Sequence, residues 1–338
     1  MHRLLPLLLA ASVLGQEAEP EPDPGATRLD DTNREAVERV RKTFADEGKS
    51  IRTQLRGLKK QDVIVVGGLF DFVQEILAAY GQPCTVVAPA ELEYVALDEP
   101  ERKLFLFNCH LVDRHFHGSV PKPAAVSDEE AERRLEAVLK EAGLEGDGAP
   151  GKAIRERFGE VKHFAGSDYS KAGLKRVGEA VKAGAWAFSS DWALLVWEQA
   201  LPGTLRWTGH HTFEETVEVK PALAGRRHAL LTGVFPAGKA RWWLETESYL
   251  FAARGRHTLL VESGQLAARY GGNKGVVVLL EPGKGRVLHA LSHTYLQRGS
   301  AEDASVMQRL LLNYMIEKSL QNHERDWARR QEEEKSGR

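Results

Sequence analysis

The sequence predicts an α/β protein built around a doubly wound sheet, and three observations favour this class. Apolar runs alternate along the chain with segments of helical periodicity. The run Val63-Ile64-Val65-Val66 is apolar throughout and ends in Gly67-Gly68, which is typical of a parallel strand buried on both faces. Residues 183–200 form a buried apolar run, a short polar turn and a helix-forming segment. Strands that alternate with helices indicate a doubly wound sheet.

The amino terminus has the pattern of a secretory signal. Residues 1–15 combine a short positive start with the apolar run Leu4–Leu14, which is too short to span a bilayer as a stable anchor. Residues 16–30 form an acidic, proline-spaced linker. We therefore expect a cleaved signal peptide, a secreted or periplasmic protein and no stable transmembrane anchor.

Helical elements and short strands follow in order. Residues 31–61 predict N-terminal helices, with Val37, Val40 and Phe44 at helical spacing. Thr85–Val87 and Leu104–Phe107 predict further strands, and the second of these ends at Asn108-Cys109-His110. An insertion over about 118–166 holds a charged helix, Asp128 to Glu141. It is interpreted either as a lid or as a solvated helical excursion.

A sharp corner follows the predicted strand Trp186–Phe188. A tight strand-to-helix turn needs small residues two positions before and two positions after its corner residue. Ser189 and Ala193 meet this requirement around Asp191, whereas the neighbours of Ser190 are large. We therefore expect Asp191 at the corner, at the carboxyl edge of the sheet where ligands bind in such folds.

The carboxyl-terminal part predicts a hairpin and a long helix. Val276–Leu280 and Arg286–Leu291 flank a turn that contains Pro282-Gly283, and the second strand ends at Ser292-His293. Ser300 caps a final helix with a core stripe. The main domain should span 62–320, and the charged tail 321–338 should fray.

The order of these elements resembles the class I glutamine amidotransferase-like superfamily, which has a flavodoxin-like fold. The resemblance rests on the glycines after the first strand, Asn108-Cys109, the corner at Asp191, and the hairpin that runs to His293. Active members of that superfamily carry a cysteine at the corner, and a histidine and a glutamate after the last strand. Here Asp191 takes the cysteine's position, His293 matches the histidine, and Tyr295 stands where the glutamate would be. The resemblance therefore implies the fold and argues against glutaminase chemistry, which needs a thiolate.

Candidate site residues gather at this predicted edge. Asp191 and His293 are the candidate catalytic pair, and Asp191 is either a covalent nucleophile, part of a ligand pocket or half of a structural polar pair. The candidate ligand-binding residues around the pair are Gly67, Gly68, Asn108, Cys109, His110, Ser190 and Tyr295.

Metal binding and nucleic-acid binding are not expected. His110, His115 and His117 follow Cys109 closely, but their spacing matches no metal-site pattern; His110 with Asp191 and His293 is a second arrangement. We predict no metal and no cofactor. The formal net charge of −2 gives no reason to expect nucleic acid as a partner. Cys84 and Cys109 can form one disulfide in an oxidising compartment, but the sequence does not show that they meet.

The preferred interpretation is a secreted or periplasmic amidotransferase-like domain that lacks glutaminase chemistry and serves as a ligand-binding or accessory module. Its partner would be a small molecule or another protein. One alternative is a hydrolase that acts on a carbohydrate or other small substrate through Asp191 and His293, with or without a metal. Another is a structural domain of an envelope assembly.

Overall fold

The computed structural model describes residues 29–110, 127–141, 167–245, 247–295 and 300–336, together with residues 152, 155 and 164. Within these residues, nine strands form one sheet in the order β2-β1-β3-β4-β11-β10-β9-β6-β7. Their bounds are β1 Val63–Val66, β2 Thr85–Val87, β3 Leu104–Phe107, β4 Trp186–Ser190, β6 Glu215–Pro221, β7 Ala240–Leu244, β9 His257–Glu262, β10 Gly275–Leu280 and β11 Arg286–Ala290. Strands β5, Leu205–His211, and β8, Tyr249–Ala253, pair separately.

The parallel half of the sheet confirms the predicted fold class. Adjacent strands in the series β2, β1, β3, β4 and β11 are parallel to each other. This order is that of flavodoxin-like sheets, in which the direction of winding reverses between the first and third strands. Strand β10 then returns antiparallel to β11, so the predicted hairpin is confirmed, and β9, β6 and β7 extend the antiparallel half.

Helices cover both faces of the parallel half. Their bounds are α1 Asp31–Asp46, α2 Ile51–Leu55, α3 Val73–Ala79, α4 Asp128–Glu141, α5 Lys171–Ala183, α6 Leu194–Ala200, α7 Gly264–Arg269 and α8 Ala301–Lys335. Strand β4 shows the two layers. The ring of Trp186 packs on Tyr314 of α8 at 4.9 Å between centroids, while Ser189 Oγ accepts a hydrogen bond from Trp197 Nε1 of α6 at 2.7 Å. Residues 186 and 189 face opposite sides of a strand, so α6 and α8 lie on opposite faces.

The first and last helices of the described chain pack on each other. Asn33 of α1 donates a hydrogen bond to the Tyr295 carbonyl at 2.7 Å and accepts one from Gln308 Nε2 of α8 at 3.0 Å. Arg309 pairs with Glu47 at 2.9 Å. These polar contacts flank the apolar stripe of α1 that the sequence predicts, whose residues Val37, Val40 and Phe44 are buried.

Helix α8 continues through most of the segment that the sequence predicts to fray. It ends at Lys335, and Arg102 ties it to the body of the protein through contacts with Asp326 and Asp62. Arg102 is itself buried, so its ion pairs with Asp326 and Asp62 are better shielded from solvent than ion pairs on the surface. Among the helices of the described residues, none combines the length and the apolar character that crossing a bilayer requires.

Candidate functional site

Asp191 lies at the corner between β4 and α6, where the small-neighbour pattern predicts it. Its φ of +44° is in the left-handed region, which a residue with a Cβ adopts at a cost of about 1–2 kcal/mol. Ser189 and Ala193 are completely buried, so larger side chains at these positions would clash with the packing around the turn. The fold thus holds the Asp191 carboxylate in a strained position at the carboxyl end of β4.

His293 meets Asp191 directly. It follows the end of β11, the strand next to β4, and its Nε2 lies 3.4 Å from Asp191 Oδ2. Both side chains are 1% exposed. The two residues that the sequence analysis pairs are therefore in contact in the interior, at the carboxyl edge of the parallel sheet.

Glu245 completes a line of three polar side chains. Its Oε1 lies 3.5 Å from Nδ1 of His293, on the opposite side of the imidazole from Asp191. Glu245 is 16% exposed, so the carboxylate–imidazole–carboxylate line runs from the interior towards the surface. This residue follows β7, far along the chain from His293, and no local sequence pattern predicts it as part of the site.

Backbone groups of the segment after Glu245 form hydrogen bonds with side chains at the corner. Trp192 Nε1 donates to the Glu247 carbonyl at 2.8 Å, and the Tyr249 N–H donates to Asp191 Oδ1 at 3.3 Å. Trp192 and Tyr249 also pack ring against ring, with centroids 6.1 Å apart. The connection between β7 and β8 thus brings the Glu245 carboxylate to His293.

Burial and mutual proximity shift the pKa values of both Asp191 and His293. Burial raises the pKa of the Asp191 carboxyl, and the neighbouring imidazole only partly opposes this. Burial opposes the charged form of His293, but Glu245, Cys109 and Asp191 outweigh it and raise the pKa of His293 well above its usual value. Both shifts favour a proton held between Asp191 and His293.

Cys109 is the third group at the corner. Its Sγ lies 3.9 Å from Asp191 Oδ2 and its side chain is buried. Burial, reinforced by the nearby carboxylates, raises the pKa of the Cys109 thiol to about 12. The thiol is therefore protonated at neutral pH, which makes it a poor nucleophile. Cys84 and Cys109 are both free thiols.

His110 is buried beside this cluster but turns to a different partner. Its Nε2 lies 3.2 Å from the Ser167 carbonyl, a contact that requires the proton on Nε2. Burial lowers the pKa of His110 to about 4, so the ring is neutral. His115 and His117, the other histidines considered for a metal, lie outside the described residues.

The two glycines after β1 are used for close packing. A Cβ on Gly67 would lie 2.2 Å from the Phe164 ring, and a Cβ on Gly68 would lie 2.3 Å from the Cys109 carbonyl oxygen. The space beside both glycines is therefore filled by protein. Gly67 and Gly68 were predicted to bind a ligand. In the structure, their lack of a side chain allows the end of β1 to pack closely against the end of β3.

Asn108, Ser190 and Tyr295 also direct their polar atoms to protein groups. Asn108 Oδ1 accepts from the Val73 N–H at the start of α3, at 3.0 Å. Ser190 Oγ and the Tyr295 N–H both donate to Asp71, each at 2.8 Å. The phenol ring of Tyr295 packs edge-on against Phe72.

Asp71 is a buried carboxylate that the sequence analysis did not single out. It accepts hydrogen bonds from the Phe72 and Thr294 N–H groups at 3.0 Å, in addition to those from Ser190 and Tyr295. It thus joins the loop after β1 to the end of β4 and to the two residues that follow His293. The sequence feature that could have indicated Asp71 is its position in the loop that follows Gly67-Gly68.

Comparisons with known proteins identify similar folds. No protein-family model matches the chain, and no curated protein sequence matches it. The chain is similar to the structure of a putative GMP synthase component from Thermoplasma acidophilum, with 10% identity and a TM-score of 0.43 over 78% of this chain and 96% of that one. It is also similar to a glutamine amidotransferase from Thermotoga maritima, with 10% identity and a TM-score of 0.34 over 69% and 75% of the two chains.

A glutamine amidotransferase from Methylobacillus flagellatus shows the same degree of likeness, with 10% identity and a TM-score of 0.36 over 70% of each chain. Glutamine amidotransferases are therefore among the solved structures that the chain is similar to. Identity and TM-score are both too low to transfer an activity. The flavodoxin-like assignment rests on the strand order, and the chemistry rests on the residues at the corner.

Proposed function

We propose that this chain is a secreted amidotransferase-like domain that lacks glutaminase chemistry and binds a small ligand at the corner occupied by Asp191. The observation that carries the proposal is the identity of the corner group. A carboxylate, strained at a φ of +44° and backed by His293 and Glu245, stands where glutamine hydrolysis needs a thiolate.

The nearby thiol does not supply the missing nucleophile. Cys109 adjoins the same carboxylate, but it lies after β3 and is protonated at neutral pH because its pKa is raised to about 12. The depth of the pair also restricts the ligand. Asp191 and His293 are 1% exposed, which favours an occupant of the size of an ion or a water molecule over an extended substrate.

Glutamine hydrolysis tests the first half of the proposal. We expect ammonia release by the purified chain to equal that of a protein-free control. Cys109→Ser is the informative variant, and Cys84→Ser is the matched control because Cys84 also has a raised thiol pKa but does not adjoin Asp191. Turnover that is lost in Cys109→Ser and kept in Cys84→Ser would show a relocated thiol nucleophile and overturn the proposal.

Thermal-shift screening against amino acids, sugars and divalent cations tests the second half. Asp191→Asn keeps the shape of the side chain and removes its charge. A binding role predicts that ligand-dependent stabilisation disappears in this variant while the unliganded midpoint stays close to that of the wild type. A large loss of stability without any loss of binding would instead identify a structural polar pair.

A second candidate, a hydrolase with Asp191 as covalent nucleophile, is favoured by the line Asp191–His293–Glu245. In such a reaction the carboxylate displaces a leaving group and forms an ester. His293 then takes a proton from water, which attacks the ester carbonyl and restores the carboxylate. Single turnover in ¹⁸O-labelled water distinguishes this route, because it places the label in Asp191. Candidate substrates for this test are nitrophenyl glycosides, in which nitrophenolate leaves from a saturated carbon and Asp191 forms an ester.

A further inference from the structure

Three different metal-binding donor atoms converge at the corner. Cys109 follows β3, Asp191 follows β4 and His293 follows β11, and these three strands are neighbours in the parallel half. In the described part of the chain, one ligand atom from each of the three lies within 4.8 Å of the others. All three residues are at most 2% exposed.

The separations are close to those around a tetrahedral zinc ion. Bonds of about 2.3 Å to sulfur, about 2.0–2.1 Å to imidazole nitrogen and about 2.0–2.2 Å to a carboxylate oxygen place neighbouring ligand atoms about 3.3–3.6 Å apart. Asp191 Oδ2 lies 3.4 Å from His293 Nε2 and 3.9 Å from Cys109 Sγ. The first distance already fits a shared ion, the second exceeds the range by a few tenths of an ångström, and the three atoms together lie within 4.8 Å of one another.

We propose that Cys109 Sγ, Asp191 Oδ2 and His293 Nε2 bind a Zn²⁺ ion. This inference rests on the proposed function and names the small ligand of that same site. Zinc binding displaces the thiol proton of Cys109 to solvent, and the resulting thiolate and the Asp191 carboxylate together carry two negative charges, which the ion neutralises. The loaded cluster is thus uncharged as a whole, which suits its burial. Sulfur and nitrogen donors favour zinc over magnesium or calcium.

Neighbouring groups orient the ligands for this role. Glu245 Oε1 lies 3.5 Å from His293 Nδ1, where it stabilises the tautomer that leaves the Nε2 lone pair directed at the ion. The Tyr249 N–H donates to Asp191 Oδ1 at 3.3 Å, which leaves Oδ2 for the metal. His110 donates to Ser167 and is not part of the converging set.

Three protein ligands leave the fourth tetrahedral position for water or a further small ligand. This is the arrangement of zinc sites that act on bound molecules, whereas purely structural sites usually have four protein ligands. Its position at the carboxyl edge of the parallel strands is also where flavodoxin-like sheets bind ligands.

Metal titration of the full chain tests the inference. The protein is stripped with a chelator and titrated with Zn²⁺ alone against a chromophoric competitor. We expect one zinc per chain. Cys109→Ser should weaken zinc affinity by at least about 100-fold, and Glu245→Gln by about 10–100-fold, as for outer-shell partners of zinc-bound histidines. Cys84→Ser, the matched control, should leave affinity unchanged.

Cobalt substitution provides a readout that needs no variant. Co²⁺ at the wild-type site should show the visible bands of tetrahedral coordination and a thiolate-to-metal charge-transfer band. Tetrahedral bands without the thiolate band would overturn the role of Cys109, even if Cys109→Ser fails to fold. Absence of zinc binding by the wild type, or equal affinity in Cys109→Ser, would overturn the whole site.

The same preparations separate this inference from the proposed function. If zinc does not bind and glutamine is not hydrolysed, the metal site is wrong and the proposed absence of glutaminase chemistry stands. If glutamine is hydrolysed in a Cys109-dependent manner, the proposed function is wrong whatever the zinc titration shows.

Discussion

Asp71→Asn should destabilise the protein strongly, because one buried carboxylate holds the ends of three segments together. Oδ1 accepts from the Phe72 and Tyr295 N–H groups, and Oδ2 accepts from the Thr294 N–H and Ser190 Oγ. Hydrogen bonds to a charged acceptor contribute about 1.5–3 kcal/mol each, roughly twice the contribution of neutral ones.

The amide that this substitution introduces would satisfy only part of the set. If its oxygen replaces Oδ1, the new NH₂ group faces the Thr294 N–H, and two donors meet in the interior. Ser190 can rotate its hydroxyl and accept instead. One unpaired buried N–H costs about 1–3 kcal/mol, and the remaining bonds lose their charge assistance. We therefore expect a loss of about 3–5 kcal/mol in the free energy of unfolding.

Urea unfolding at pH 7 measures this loss, with Asp46→Asn as the control because Asp46 is exposed at the end of α1. The slope against urea should be unchanged in both variants. A loss below about 1 kcal/mol for Asp71→Asn would refute the reasoning, since the cost of an unpaired buried donor alone is of that size.

The remaining predictions concern pH, thiols and processing. Burial lowers the pKa of His289 to about 3, whereas an unfolded histidine protonates near pH 6.5, so this residue stabilises less as the pH falls below about 6.5. Between pH 8 and pH 5, wild-type unfolding free energy should therefore drop by about 2 kcal/mol more than that of His289→Asn, and parallel pH profiles would contradict this. Iodoacetamide at pH 8 should label Cys84 before Cys109. Burial raises the thiol pKa of Cys84 to about 11 and that of Cys109 to about 12, and Cys109 is the more buried of the two. Mass spectrometry of the labelled peptides shows the order of labelling. Edman sequencing of protein exported by a secreting host should begin at Gln16, and a chain that still begins at Met1 would exclude cleavage.

Local rules predicted the parts of the site that depend on short stretches of chain. Asp191 was placed at the corner because a tight turn tolerates only small neighbours, and Ser189 and Ala193 are small. The hairpin of β10 and β11 followed from Pro282-Gly283 between two apolar runs. Each of these signals lies within a short stretch of chain, where steric rules dominate.

The missed residues depend on contacts between distant segments. Glu245 reaches His293 only because β7 ends beside the corner, and the sequence offers no rule for the placement of that edge strand. Asp71 is one acid in a loop, and its importance comes from three elements that meet around it. The helical tail was missed because Arg102, which lies outside the tail and also pairs with Asp62, holds it through Asp326.

The pairing of α1 with α8 constrains the order of assembly during synthesis. Asn33 and Glu47 find their partners Gln308 and Arg309 across separations of 275 and 262 residues. Helix α1 is therefore synthesised long before α8, which covers its apolar stripe. A nascent chain that stops short of α8 keeps that stripe bare, and full-length translation becomes a condition for burying it.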